Sequence, residues 1–276
     1  MAVSRVVIKT RTLFGDGQVF GDVGQYERVD GVLEFAVDPT NEANALITDL
    51  GLAPRNTDGM VTFKSDFTFI TPKDQSLGSD QLLVDVVNRG RRQAMGTFNL
   101  ATPSRVGSAE VPLGDGFLCR YGYSVLSIGW QWDVYRSAAM IGLEPPFAQI
   151  DRDADSGQVL VEIRPDFVQK TRLLANRVHQ PYPVADIDDP RAYLLVKDWE
   201  DGPYETVPRN RWRFARETEK GVEPSDDHIY VEDGLQPGKI YHVVYTSGHT
   251  PVVGVGLLAV RDVASFLRNG PSELAV

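Results

Sequence analysis

Over much of the first hundred positions apolar and polar residues alternate in short runs, broken by Gly, Asp, Pro and Asn. That period of two predicts strands joined by turns, and helical stretches are scarce. The predicted strands are 5–10, 26–37, 45–50, 61–70 and 81–87. In the run from Val61 to Ile70, Val61, Phe63, Phe67 and Phe69 alternate with Thr62, Lys64 and Thr68, so one face of that strand is the wetter one. The run from Leu82 to Val87 differs in being nearly all apolar. A strand of that kind is expected in the middle of a sheet, buried on both faces.

Asn88-Arg89-Gly90-Arg91-Arg92 follows that strand as a polar loop. Gly114 to Tyr121 reads as a short helix, with Asp115 as N-cap and Gly122 as its stop. Tyr123 to Ile128 is the next strand and ends at Gly129-Trp130-Gln131-Trp132-Asp133. Strand, loop, helix and strand form a βαβ unit, which implies a parallel pair with ligand-facing loops at the carboxyl ends of its strands. From Val134 to Gly238 the turn pairs Ser156-Gly157, Asp201-Gly202 and Asp233-Gly234 punctuate further strands, and Asp155 precedes the first of them. Ile240 to Thr246 is another strand. From Pro251 to Arg268, Val252, Val255, Leu258, Ala259, Val263, Phe266 and Leu267 recur at helical spacing. The expected organisation is therefore 1–133 as N-terminal strands and the first half of an α/β sheet, 134–238 as a β-rich insertion, and 239–276 as a strand and helix returning to the core.

The loop from Asn88 to Arg91 is the strongest candidate for chemistry. Backbone N–H groups freed by Gly90 can meet a developing oxyanion, and Arg89 or Arg91 can meet a carboxylate; the alternative is that the arginines pair with local acids and fix the loop. Trp130, Gln131 and Asp133 end the neighbouring strand and form the expected substrate-binding wall, or else seat the inserted segment on the core. Gly254-Val255-Gly256-Leu257-Leu258-Ala259 matches the dinucleotide fingerprint, but it stands too far beyond the preceding strand, so its glycines read as close-packing residues. No G-x-S-x-G elbow occurs. Ser247 and His249 share a turn at a spacing unsuited to a nucleophile and its base. His179, His228 and His242 have no metal-ligand spacing. Cys119 reads as a packing residue. No metal and no cofactor are expected.

Composition narrows the classes. The 276 residues are 42% hydrophobic, enough for a sizeable core, and carry a formal net charge of −10, which argues against tracking nucleic acid or an anionic membrane. The single cysteine excludes an intrachain disulfide and fits a reducing, cytoplasmic setting. No apolar run is long enough to cross a membrane as a helix, and the N-terminus lacks a signal-peptide pattern.

Several blocks together resemble a known family. Phe20 to Arg28 (FGDVGQYER), Asp49 to Asn56 (DLGLAPRN), Val86 to Arg91 (VVNRGR), Gly114 to Leu118 (GDGFL), Gly129-Trp130-Gln131, then Pro208, Arg211 to Ala215 (RWRFA) and Val260 to Arg268 (VRDVASFLR) are similar, in this order, to the N-terminal half of proteins of the alpha/beta hydrolase domain family. The resemblance implies an α/β fold, a partial α/β-hydrolase-type sheet with a β-rich insertion. Leu82–Val87 and Tyr123–Ile128 would be that sheet's third and fourth strands, and Val252–Arg268 the helix leading into its fifth. It also implies a serine hydrolase acting on esters or related acyl bonds, with the loop Asn88, Arg89, Gly90, Arg91 contributing to the oxyanion hole. In that family the nucleophile, acid and histidine come later than this chain extends. The expectation is thus a hydrolase portion, inactive alone, that takes a small ester or acyl substrate and is completed by a C-terminal half or by a homo-oligomer. A reading from a different class is a stand-alone, non-catalytic protein that binds a ligand or partner.

Overall fold

The computed structural model describes residues 2–102, 107–150, 157–176 and 179–269. Two compact units divide the chain, Met1–Ala148 with Pro251–Val276 and, between them in sequence, Gln149–Thr250.

The first unit is built on one sheet. Its strands are β1 (Val3–Leu13), β2 (Tyr26–Val37), β3 (Val61–Pro72), β4 (Leu82–Val86), β5 (Ser124–Ile128) and β6 (Leu143–Glu144), in the order β1-β2-β3-β5-β4, with β6 on β3. β1, β2, β3 and β5 pair antiparallel, with Tyr26 opposite Pro72 and Val37 opposite Val61 along the longest ladder. β4 and β5 are parallel, because the long crossover between them carries α1 (Ala94–Phe98) and α2 (Phe117–Arg120). On that side Tyr26, Ile70, Met95, Leu118, Cys119 and Val125 form a buried cluster. α3 (Val255–Asn269) buries Val255, Leu258, Ala259, Val263, Phe266 and Leu267, the stripe legible in the sequence. Gly256 permits its approach, since a Cβ there would overlap the Trp130 carbonyl oxygen.

Among the described residues the second unit is strands and turns with one 3₁₀ segment, Arg209–Arg211. β7 (Gln158–Ile163), β9 (Tyr193–Lys197), β10 (Glu205–Val207) and β15 (Ile240–Thr246) make a sheet in the order β10-β9-β15-β7. β8 (Gln169–Leu173), β11 (Trp212–Arg213) and β14 (His228–Leu235) make a second, β11-β14-β8, and β12 (Ala215–Thr218) pairs β13 (Gly221–Pro224). Its core gathers Leu174, Leu194, Trp212, Phe214, Ile229, Val243 and Tyr245, with the Phe214 ring edge-on to Trp212 at 5.3 Å and to Tyr245 at 5.5 Å.

These observations overturn the expected α/β class and the partial α/β-hydrolase-type sheet. Strands make up 39% of the chain and helices 16%, and the sheets are antiparallel or mixed, not the α/β-hydrolase layout. The physical reason is what the connections carry. An α/β sheet needs a crossover helix between successive parallel strands, and in this sheet only the β4-to-β5 connection carries α-helices; residues 14–25 and 38–60 form turns and 3₁₀ segments and return each strand antiparallel.

Smaller expectations also change. Residues 45–50, read as a strand, are turns over 45–49, between two 3₁₀ segments, Glu42–Asn44 and Leu50–Leu52, the second of which takes in Leu50. The Asn41 side chain accepts from the Ala43 N–H and buried Asn44 donates to the Asp38 carbonyl, a local network that competes with strand formation. The helix after Gly114 starts at Phe117 with Gly116 at its N-cap, although the Asp115 carboxylate does accept from the Phe117 N–H at 2.9 Å. α1 was not expected. Ile240–Thr246, assigned in sequence to the returning core, is instead an inner strand of the second unit, paired on both sides. The turn residues Asp155 and Ser156 and the segment 270–276 lie outside the described residues.

Candidate functional site

The loops that follow β4 and β5 meet at the carboxyl ends of the two strands. Arg89 (φ 51°) and Gly90 (φ 81°) turn the chain so that Asn88 and Arg91 come to face each other as a bridge pair, with the Arg91 N–H donating to the Asn88 carbonyl at 3.1 Å. Gly90 is required there. Besides its left-handed backbone, a Cβ at this position would lie 2.8 Å from a Val134 methyl and 3.0 Å from the Ile141 carbonyl oxygen.

Each candidate residue has a definite place. The Arg89 N–H donates to the Gln131 Oε1 at 2.9 Å, and the Arg89 guanidinium pairs with the Asp133 carboxylate. The Trp130 indole N–H donates to the Val87 carbonyl at 2.7 Å. Asn88 and Arg91 are exposed, whereas Gly90 is buried and its carbonyl accepts from the Ile141 N–H at 3.1 Å. Gln131 and Asp133 thus hold Arg89 of the loop, and Trp130 holds Val87 just before it. The Arg89 N–H, a candidate oxyanion donor, is already occupied. Arg92 is structural: its guanidinium donates to Thr68 Oγ1 at 2.7 Å and to the Ala139 carbonyl at 3.2 Å, and burial holds its pKa below the usual arginine value.

The other reactive side chains are built into the frame. Ser247 is fully buried, and its hydroxyl donates to the His249 carbonyl at 2.6 Å, closing a turn. Burial pushes the Cys119 thiol up to about 12. His242 lies between Glu162 and Tyr204, at 3.1 Å from each. Among the described residues no group of three or more His, Cys, Asp or Glu side chains is arranged to hold a metal. An open cleft of about 610 Å³, lined by Arg11, Glu27, Phe69, Thr71, Lys73 and Leu77 among others, contains none of the candidate site residues.

The feature that sequence reasoning missed is the strand on which this loop stands. β4 is an edge, paired only with β5 among the described residues. Leu82, Leu83, Val84 and Asp85 are half-buried and Val86 is 45% exposed, not buried on both faces. The Gln81 carbonyl accepts from the Ser124 N–H at 2.9 Å, which sets the alternation. Gln81, Leu83 and Asp85 turn their backbone groups toward β5, while Leu82, Val84 and Val86 turn theirs outward. The sole charge in the strand, Asp85, is tied inward, accepting from Ser127 Oγ at 2.9 Å and from the Gln93 N–H at 2.9 Å. Nothing in a local apolar run separates a central strand from an edge one, because strand order is decided by the crossover.

No helix among the described residues is long and apolar enough to cross a membrane. The chain matches no known protein family, no curated protein and no solved structure.

Proposed function

We propose that this chain is a non-catalytic binding protein whose first unit takes up an extended polypeptide segment along the outer edge of β4. A single observation carries the reading: an apolar edge strand presents the outward backbone groups of Leu82, Val84 and Val86 with no bulge, no proline and no outward charge. An edge of that kind is a template for another strand, with main-chain hydrogen bonds supplying affinity and alternate side chains supplying selectivity. A cytoplasmic setting, in keeping with the single cysteine, belongs to the same proposal.

The test is binding of a fluorescein-labelled peptide of alternating threonine and valine, followed by anisotropy on the full chain. Saturable binding that is lost in V84P is expected. Proline at this position removes an outward N–H and leaves the β5 ladder intact. Binding that survives V84P, or no binding by a chain that is itself monomeric, contradicts the reading.

A second reading, an ester-hydrolase component that receives its nucleophile from a partner, is favoured by the convergence of the loops 88–91 and 129–133 at the carboxyl ends of parallel strands. It ranks below the first because Gln131 already occupies the Arg89 N–H. Its own test is hydrolysis of a chromogenic short-chain ester with and without a serine-directed phosphonate. Turnover by this chain alone with a covalent adduct would displace the binding reading.

A further inference from the structure

The strand that β4 accepts can be specified from the charges at its two ends. Asp80 stands in a left-handed bend (φ 55°) two positions before β4, and Arg91 stands beside Asn88 just after the strand, and both are exposed. Neither side chain has an ion-pair or hydrogen-bond partner among the described residues, although nearly every other cation of this sheet's margin does, Arg5, Lys9, Arg11 and Arg89 included. An edge that is acidic at its start and basic at its finish is complementary to itself run backwards.

Resting on the strand-accepting reading above, we infer that the occupant of the β4 edge is the β4 strand of a second copy of this chain, paired antiparallel about a two-fold axis through Val84. Several independent features agree with that register. It pairs outward-facing residues with outward-facing residues, Val84 with Val84 and Leu82 with the partner's Val86, as a hydrogen-bonded antiparallel ladder requires. These apolar pairs lie on one face, so the half-exposed side chains of Leu82, Val84 and Val86 gain cross-strand neighbours. Leu83 falls opposite the partner's Asp85, whose carboxylate already has its partners in Ser127 and Gln93, so no charge is stranded. Just beyond the ladder's ends, the bend at Asp80 of each copy lies toward the partner's Asn88, and the bridge between Asn88 and Arg91 sets the partner's Arg91 beside that end. The symmetry repeats the ion pair at the other end. A shift of the axis by one residue to Asp85 sets two carboxylates opposite each other, which disfavours that register. The isologous contact is closed: it consumes the β4 edge of each copy and leaves no β4 edge for a third.

The experiment is sedimentation equilibrium of the full chain, wild type against D80R, R91D and the D80R/R91D double variant, in low and moderate salt. A dimer is expected, weakened about tenfold or more by either single reversal and restored by the double one, with the single-variant deficits shrinking as salt rises. V84P is expected to be monomeric. A wild-type chain that stays monomeric, or a double variant as weak as the singles, overturns the self-pairing. The two levels of the proposal separate cleanly. A monomeric chain that still binds the threonine-valine peptide keeps the strand-accepting edge and loses only the second copy as its occupant. A chain that does neither loses both.

Discussion

The two edges of the first unit's sheet are built in opposite ways. β1 carries Arg5, Lys9 and Arg11 among its apolar positions, pairs them with Glu34, Asp66 and Glu27 at 3.8, 3.8 and 2.7 Å, and breaks its ladder with β2 at Val3/Arg5 and again at Ile8/Thr10. Charges and bulges are the devices by which proteins blunt an edge against further pairing. β4 has neither: its register with β5 runs unbroken from Leu82 to Val86, and Asp85 is turned to internal work. Both edges belong to the same sheet and face the same solvent. Under the proposed reading the contrast is one of purpose, with β1 closed to partners and β4 left open to one.

The largest effect should come from the turn that ends the open edge. G90A places a Cβ on a residue with φ 81° and against Val134 and Ile141, and is expected to destabilise the chain by about 2–3 kcal/mol in urea unfolding. Its displacement of Arg91 should weaken dimerisation as well. Making β4 resemble β1 is the next step down. V86K puts an edge lysine where a 45% exposed valine stood, and about a tenfold loss of self-association by sedimentation is expected, with little change in stability. The mirror experiment on β1, I8T at a position 41% exposed, should leave association unmoved. Equal losses from both edges would remove the distinction between them.

The second unit supplies a control with a smaller expected effect. Asp189 accepts from the Arg191 Nε at 3.0 Å and from its terminal nitrogen at 2.9 Å, and those hydrogen bonds hold its carboxyl below the usual value. A carboxyl depressed in the folded state contributes stability above its unfolded pKa of about 3.9, and that contribution is lost as pH falls through the folded value. D189N is expected to cost about 1 kcal/mol at pH 7, with the difference from wild type narrowing below about pH 4, while association through β4 stays as it was. A change in association would show that the edge is not the sole determinant.

Much of this architecture is legible in the sequence where period and length agree. The strands at Tyr26–Val37 and Ile240–Thr246 fall where alternation and apolar runs place them, and the stripe from Val255 to Leu267 forms a helix. Legibility fails where a side chain competes with the backbone, as Asn41 and Asn44 do before residues 45–50. It also fails where burial depends on strand order. Leu82–Val87 reads as a central strand because apolar content records that a partner exists, not which partner it is. The meeting of the loops after β4 and β5 follows from βαβ logic, yet nothing local to Arg89 announces that Gln131 and Asp133 hold it. The resemblance in scattered motifs carried an α/β expectation that the antiparallel run of β1 to β3, joined without an α-helix, does not fulfil.

Residue-resolved amide hydrogen exchange, measured on the full chain across a range of protein concentrations, tests the central claim most directly. The N–H groups of Leu82, Val84 and Val86 should exchange quickly in dilute solution and become protected as concentration rises, while the outward N–H groups of β1 exchange quickly throughout. Fast exchange at all three β4 positions at every concentration, or protection that rises equally on β1, would contradict it.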